Sequence, residues 1–142
     1  MSIDENIKEI CVNAFPNFSF IFEDWYNADR ALAKAKKMPA ILLLLPSGGN
    51  VTLDLGRRKD AEDVAIAFVD KVKRDANGAE QSLVYNEMKL KAFTFVQQLN
   101  ASKKFEPIDS FEYTTIIDQT GTIVTGVMLT FRLKEAEGVC YE

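Results

Sequence analysis

The segment that most constrains the fold is an unbroken apolar run between two prolines, Pro39 and Pro46. The residues between them are one alanine, one isoleucine and four leucines. Proline breaks the interior of a helix, and these two leave too few residues between them for a helix of ordinary length. A continuous apolar run of this kind is typical of a strand that is buried on both faces. The sequence therefore predicts a central, fully buried strand over residues 39–46.

Strand patterns also occur on both sides of this run. Before it, aromatic residues alternate along the chain at Phe18, Phe20 and Phe22. After it, residues 47–50 have the composition of a turn, and Val51, Leu53 and Leu55 alternate with polar residues. We expect this second strand to return beside the apolar run as a hairpin. Residues 60–73 fit a strand or a helix, and their β-branched and aromatic residues favour the strand.

Three segments have the pattern of helices. Ser2-Ile3-Asp4-Glu5 has the form of a capping box, and apolar residues then recur at three- and four-residue spacing until Pro16. Residues 27–37 are rich in alanine and lysine and predict a second helix. Residues 79–102 contain neither glycine nor proline and carry one apolar stripe, which predicts a long helix.

The C-terminal third is typical of an antiparallel hairpin. Residues 111–117 and 123–133 alternate in hydrophobicity on either side of the turn sequence Asp118-Gln119-Thr120-Gly121. We expect Met128, on the second face of this hairpin, to be available for assembly. The polar tail from residue 134 to 142 is expected to be loosely held.

Together these patterns predict one α+β domain over residues 1–142. Its sheet should be antiparallel or mixed, with about four to six strands. A long helix from the C-terminal half and one or two shorter helices should pack on this sheet. The sequence contains no internal repeat or linker that would divide the chain.

Composition excludes several kinds of catalytic site. The chain has no histidine, which removes Ser-His-Asp and Cys-His nucleophile systems and every zinc site that uses histidine. Its two cysteines, Cys11 and Cys140, cannot form a C-x-x-C motif. A disulfide between them stays open, although a reduced intracellular state is favoured. The net charge of −4 argues against a general affinity for nucleic acid or anionic membranes.

The remaining candidate groups are better explained as surface or turn residues. The carboxylate pairs, at Glu23-Asp24, Glu62-Asp63 and Asp109 with Glu112, show no spacing that would bring two of them into one cleft. The glycines at 48 and 49 lack the spacing of a phosphate-binding loop. We therefore expect no catalytic, cofactor-binding or metal-binding residues, no cofactor and no enzymatic activity. The acidic N-terminus differs from a signal peptide, and we expect a cytoplasmic protein.

A family resemblance rests on the order of these elements and on three segments. They are the apolar run from Met38 to Pro46, Tyr113-Thr114-Thr115-Ile116-Ile117-Asp118, and Gly126-Val127-Met128-Leu129-Thr130-Phe131 in a chain that closes with Cys140. In this pattern, which covers most of the chain, the protein resembles the tail terminator group. These are small tail-completion proteins of long-tailed bacteriophages and prophages.

The resemblance implies an α+β fold and a structural role without catalytic residues. Proteins of this group form a hexameric ring that caps the tail tube and presents a face for head attachment. The implied partners are further copies of the chain, the tail tube protein and head–tail connector proteins, with no nucleic-acid specificity and no membrane. The implied location is the host cytoplasm during assembly and then the virion tail. The alternative is a small cytoplasmic adaptor or ligand-binding domain with a pocket between the sheet and the long helix.

Overall fold

A computed structural model describes residues 2–23, 38–72, 75, 77–118, 124–136 and 139–140. The two helices in this part of the chain are α1 (Ile3–Ala14) and α2 (Gly78–Ser102). The strands are β1 (Ser19–Glu23), β2 (Ala40–Leu44), β3 (Gly49–Asp54), β4 (Arg57–Lys71), β5 (Glu112–Asp118), β6 (Val124–Lys134) and β7 (Val139–Cys140). The helix predicted over residues 27–37 and most of the turn predicted after Asp118 lie outside the described residues.

The sheet is organised around β4, which is fifteen residues long. The strand order is β1-β2-β4-β6-β5, and β3 and β7 also pair with β4. Only β1 and β2 are parallel; the other pairs are antiparallel. The predicted α+β class with a mixed sheet and a long helix is therefore confirmed. The strand preferred for residues 60–73 is confirmed as well, and it begins earlier, at Arg57.

The predicted hairpin between the apolar run and residues 51–55 is wrong. β2 and β3 lie end to end along the same edge of β4, where β3 pairs with residues 57–62 and β2 with residues 66–69. The tight turn instead joins β3 to β4 through Leu55 and Gly56, whose φ angles are 47° and 79°. Two positive φ angles are what a two-residue type I′ turn requires, and a leucine there costs roughly 1–2 kcal/mol. The glycines at 48 and 49 are typical of a turn and leucine is not. The sequence therefore predicted the tight turn at residues 47–50 instead of at Leu55 and Gly56.

β2 is buried on both faces, as its composition predicts. Its odd-numbered residues face the helices, where they join the main core cluster. Phe68 of β4 lies at the centre of this cluster, with its ring centroid 5.7 Å from those of Phe15 and Phe95. The even-numbered residues of β2 belong to a second apolar cluster on the other face. Met128 packs against this second cluster, so it is not the free assembly residue that was expected.

The C-terminal hairpin is confirmed, with β5 and β6 paired from Glu112 opposite Thr130 to Asp118 opposite Val124. The expectation of a loose tail is wrong at residues 139–140, which pair with Arg57 and Arg58 as β7. Glu135 is also held, because its backbone N–H donates to the Asp60 carbonyl at 3.0 Å and its carboxylate accepts from the Asp60 N–H at 2.9 Å. The polar composition of the tail gave no sign of this backbone pairing.

Cys11 lies in the main core cluster on α1 and forms no disulfide. Burial raises the pKa of its thiol to about 12, so the side chain stays neutral and packs as a small apolar group.

The substitution Leu43→Asp should unfold the protein. Leu43 is only 2% exposed, and an unpaired carboxylate buried there removes much of a total stability of about 5–15 kcal/mol. The matched control is Leu83→Asp on α2, where the leucine is 74% exposed and the melting temperature should stay close to wild type. Thermal unfolding followed by circular dichroism compares the two. Equal melting temperatures would show that β2 is not buried as described.

The substitution Gly126→Ala should destabilise the sheet by about 1–3 kcal/mol or more. A Cβ at this position in β6 would lie 1.9 Å from the Phe68 carbonyl oxygen, which belongs to the paired backbone of β4 and cannot move aside. Gly78→Ala, at the start of α2, is the control, because no atom lies within 4 Å of its Cβ position. Urea denaturation should show little change or a slight gain for the control. A Gly126→Ala variant as stable as wild type would contradict the close approach.

Candidate functional site

The carboxylates weighed as catalytic candidates do not meet in one cleft. Glu62 and Asp63 are neighbours on β4, so their side chains point to opposite faces of the sheet. Asp109 and Glu112 are exposed, and Asp24 lies outside the described residues. Within the part of the chain that is described, no group of three or more Cys, Asp or Glu residues is arranged to hold a metal ion.

Asp63 and Glu62 differ in their electrostatic environment. The guanidinium of Arg132 lies with Nε 2.9 Å from Oδ1 of Asp63 and Nη2 3.2 Å from Oδ2, and this bidentate pair lowers the pKa of Asp63. On the other face, partial burial and then the charges of Asp60, Asp4 and Glu135 raise the pKa of Glu62. Asp63 is thus paired with Arg132, whereas Glu62 lies among like charges.

The space between the sheet and the long helix is filled by side chains. Met88, Ala92, Phe95 and Leu99 of α2 are each no more than 1% exposed and pack into the same cluster as Phe68. Because α2 packs this closely on the sheet, the interface between them is part of the hydrophobic core.

The most unusual surface is a hairpin that extends beyond the body of the sheet, residues 49–60, which we call the arm. β6 pairs with β4 only from Ala61 onward, so the arm has just β3, the start of β4 and the two residues of β7. All its side chains described between residues 49 and 58 are exposed. They include Val51, Leu53 and, at the turn, Leu55, which is 97% exposed.

The arm combines apolar and basic side chains. The register places Val51 opposite Asp60 and Leu53 opposite Arg58, so these two apolar residues form a row on one face. Arg57 and Arg58 are both exposed beside the turn. Apolar side chains framed by arginine are typical of the parts of a surface that bind another protein.

A second unusual surface is the outer edge of the sheet, formed by β5. Among the described residues this strand pairs only with β6, along its full seven residues. Its exposed side chains include Tyr113 and Ile117. Natural edge strands are commonly guarded by charged residues, proline or a bulge; β5 has no proline, lysine or bulge along residues 112–118, and its two charged residues, Glu112 and Asp118, lie at its ends. We call this strand the β5 edge.

The β5 edge is supported from the helix side by a lysine among aromatic rings. Nζ of Lys89 lies 4.7 Å from the ring centroid of Tyr113, 5.6 Å from that of Tyr85 and 5.8 Å from that of Phe93. As a hydrogen-bond donor and as a charge, the Lys89 ammonium lowers the pKa of Tyr113. Phe93 in turn meets the ring of Phe111 edge-on at 5.7 Å. These contacts hold Tyr113 on the helix side of the sheet.

Comparison with models of known protein families gives no match for this chain, and comparison with curated proteins gives none either. No helix among the described residues is both long and apolar enough to cross a membrane.

The arm escaped the sequence analysis, whereas the C-terminal hairpin was expected to offer an edge to a neighbour and only the strand that forms this edge was not identified. The alternation over residues 51–55 correctly predicted a strand. It also predicted that one face of this strand would be buried, whereas both faces are exposed. Gly56 is the one local signal that could have placed the turn, since a type I′ turn favours glycine at its second central position.

The substitution Glu62→Gln should stabilise the protein at neutral pH. Because the folded state raises the pKa of Glu62, it binds this proton more tightly than the unfolded chain, so stability is lost as pH rises through the raised pKa. The glutamine side chain does not ionise, so the variant keeps the stability that the wild type loses when Glu62 is deprotonated. The gain should not exceed about 1 kcal/mol, since the carboxylate is partly exposed and screened.

Asp63→Asn, one residue along β4, is the control of opposite sign. The pKa of Asp63 is lowered by Arg132, so the stability from this pair is present at neutral pH and lost as pH falls. Urea denaturation at pH 7 and at about pH 4 measures both variants. A Glu62→Gln variant less stable than wild type at pH 7 would contradict the acidic environment described.

Proposed function

We propose that this chain is a structural assembly subunit whose copies form a ring at the head-proximal end of a phage or prophage tail, in the manner of a tail terminator. The observation that carries the proposal is the arm. It projects Val51, Leu53 and Leu55 into solvent from a hairpin that adds little to the core. Apolar side chains displayed together on a projecting element mark an interaction surface.

The second support is the β5 edge, a seven-residue strand with exposed Tyr113 and Ile117 at the far side of the sheet from the arm. A ring subunit needs two such surfaces, because each copy contacts a neighbour on either side. The fold supplies one at each side of the sheet.

The alternative, a small adaptor or ligand-binding domain, requires a pocket between the sheet and the long helix. That space holds Met88, Phe95 and Leu99, all buried against the sheet. Of the candidate carboxylates, Asp63 is paired with Arg132 and Glu62 lies among like charges. The geometry therefore favours contact with other proteins over small-molecule chemistry, and we propose that the protein is not an enzyme.

In this proposal the partners are further copies of the chain, the tail tube protein and the head–tail connector proteins. The subunit is made in the host cytoplasm and becomes part of the virion tail. Its net charge of −4 suits a part that binds protein and has no direct nucleic-acid specificity.

The ring predicts a mass well above that of one chain. Size exclusion coupled to light scattering should give a closed oligomer, about 96 kDa for six copies of the 16.0 kDa chain, at high concentration. Leu55→Asp should shift the protein toward monomer without changing its fold, because Leu55 is 97% exposed. Leu83→Asp, at an exposed leucine on α2, is the matched control and should leave the ring intact. A wild-type chain that stays monomeric at every concentration and salt would overturn the proposal.

A further inference from the structure

We infer that copies of this chain join head to tail through their sheet edges, with β3 in the arm of one copy pairing antiparallel with the β5 edge of the next. This inference rests on the proposed function, since it states which surfaces of the ring subunit meet. The partner is thus a second copy of the chain, and the contact is the addition of a strand to an open sheet edge.

Both edges are open among the described residues. β3 pairs there only with β4, and β5 only with β6. The side chains of residues 49–53 are all exposed, as are those of residues 112–115 and 117. The two strands have matching lengths, six and seven residues. β1, another outer strand, has five residues, and all but Phe22 are half-buried.

The two edges face opposite ways, so they cannot meet within one copy. β3 lies on the β2 side of β4, whereas β5 lies beyond β6 on the other side. Contact between unlike edges is head to tail, and repetition of such a contact closes into a ring when the rotation permits. Pairing between two β5 edges would instead stop at a dimer.

Strand direction makes the contact antiparallel. β3 is antiparallel to β4, β4 to β6, and β6 to β5, so β3 and β5 run in opposite directions within one copy. Rotation about the ring axis preserves the component of each strand direction that lies along the axis. β3 is paired with residues 57–62 of β4. The residues of β6 that pair with β5 are themselves paired with residues 65–71 of β4, so β3 and β5 are offset along the strand direction. The strands must therefore be inclined to the axis, as they are in closed barrels.

The apolar rows of the two edges lie on the same face. Val51 and Leu53 share the helix side of the sheet, because their register partners on β4 lie on the face that carries Val64. Tyr113 and Ile117 also lie on the helix side, where Tyr113 contacts α2. In a sheet that continues from one copy to the next, these two rows come together without a change of face. Cross-strand apolar pairs of this kind stabilise a sheet.

The negative charges at the two edges are offset by arginine on the neighbouring strand β4. Arg57 and Arg58 are exposed at the tip of the arm, where β3 ends. Glu112 is exposed where β5 begins, and β5 contains no basic residue. Antiparallel pairing brings the end of β3, Asp54, next to the start of β5, Glu112. Arg57 is the register partner of Asp54 on β4 and lies on the same face as Glu112, so its charge offsets that of the two acidic residues. Opposite charges across a contact favour the correct register and partner.

Disulfide cross-linking tests the pairing. Thr52 lies on the face opposite the helices, as do Glu112, Thr114 and Ile116 of β5. Thr52→Cys is combined in turn with Glu112→Cys, Thr114→Cys and Ile116→Cys, in a chain carrying Cys140→Ser and retaining the buried Cys11. Thr52→Cys with Thr115→Cys is the matched control, because Thr115 points to the helix side. Melting temperatures close to wild type confirm that each variant is folded.

The expected result is a ladder of cross-linked species beyond the dimer for at least one same-face pair, with none for the control or for single cysteines. A ladder requires each copy to be linked to two neighbours, and disulfide geometry requires Cα atoms about 4.4–6.8 Å apart. A wild-type ring without any ladder would overturn the edge pairing and leave the proposed function standing. Dimers from Thr114→Cys alone would also overturn it, in favour of pairing between two β5 edges. A strict monomer would overturn both proposals.

Charge reversal gives an independent readout. Arg57→Glu, on the same face as Glu112, should weaken ring association by about fivefold, the effect expected for one exposed ion pair. Adding Glu112→Arg to the same chain should restore association, since each copy supplies both edges. Light scattering over a dilution series measures both variants. If Glu112→Arg weakens the Arg57→Glu ring further, Arg57 does not lie near the β5 edge and the register is wrong.

Discussion

The pairing of β4 with β6 is the contact on which the rest of the structure depends. It runs through eleven consecutive residue pairs, from Ala61 opposite Lys134 to Lys71 opposite Val124. The absence of a side chain at Gly126 lets the two backbones approach at Phe68. The Phe68 ring contacts Phe15 at the end of α1 and Phe95 in α2, and these contacts hold both helices on the sheet. β2, β3 and β7 all pair with β4, so its position sets the position of almost every other strand.

Elements whose pattern is local could be predicted from the sequence. The uninterrupted stripe of α2, the capped α1 and the alternation of the β5–β6 hairpin each depend on residues close in the chain. The wrong hairpin at β2 shows where this approach fails. Sequence neighbours often pair, but the apolar run and β3 each pair with a different part of one long strand. Nothing within residues 40–55 reports the length of β4, so the pattern could not distinguish the two arrangements.

The candidate surfaces could be predicted even less, because exposure is set by neighbours distant in sequence. Val51 and Leu53 have the alternation of a half-buried strand, and they are exposed because β6 ends its pairing at Ala61. The openness of β5 likewise follows from the strand order. In contrast, the separation of Glu62 from Asp63 follows from strand alternation alone, once the segment is known to be a strand. The relative placement of neighbouring side chains could therefore be predicted from the sequence, whereas the exposure of the two surfaces could not.

The turn at Leu55 places a residue type that suits neither its backbone conformation nor its exposure. A leucine there is unfavourable in two ways, through its left-handed backbone and through an almost fully hydrated side chain. Asparagine would suit both the backbone and the solvent better. A single free copy therefore leaves the tip poorly matched to its surroundings. The tip is a locally frustrated element, in which the residue type agrees neither with the backbone conformation nor with the hydration of its side chain.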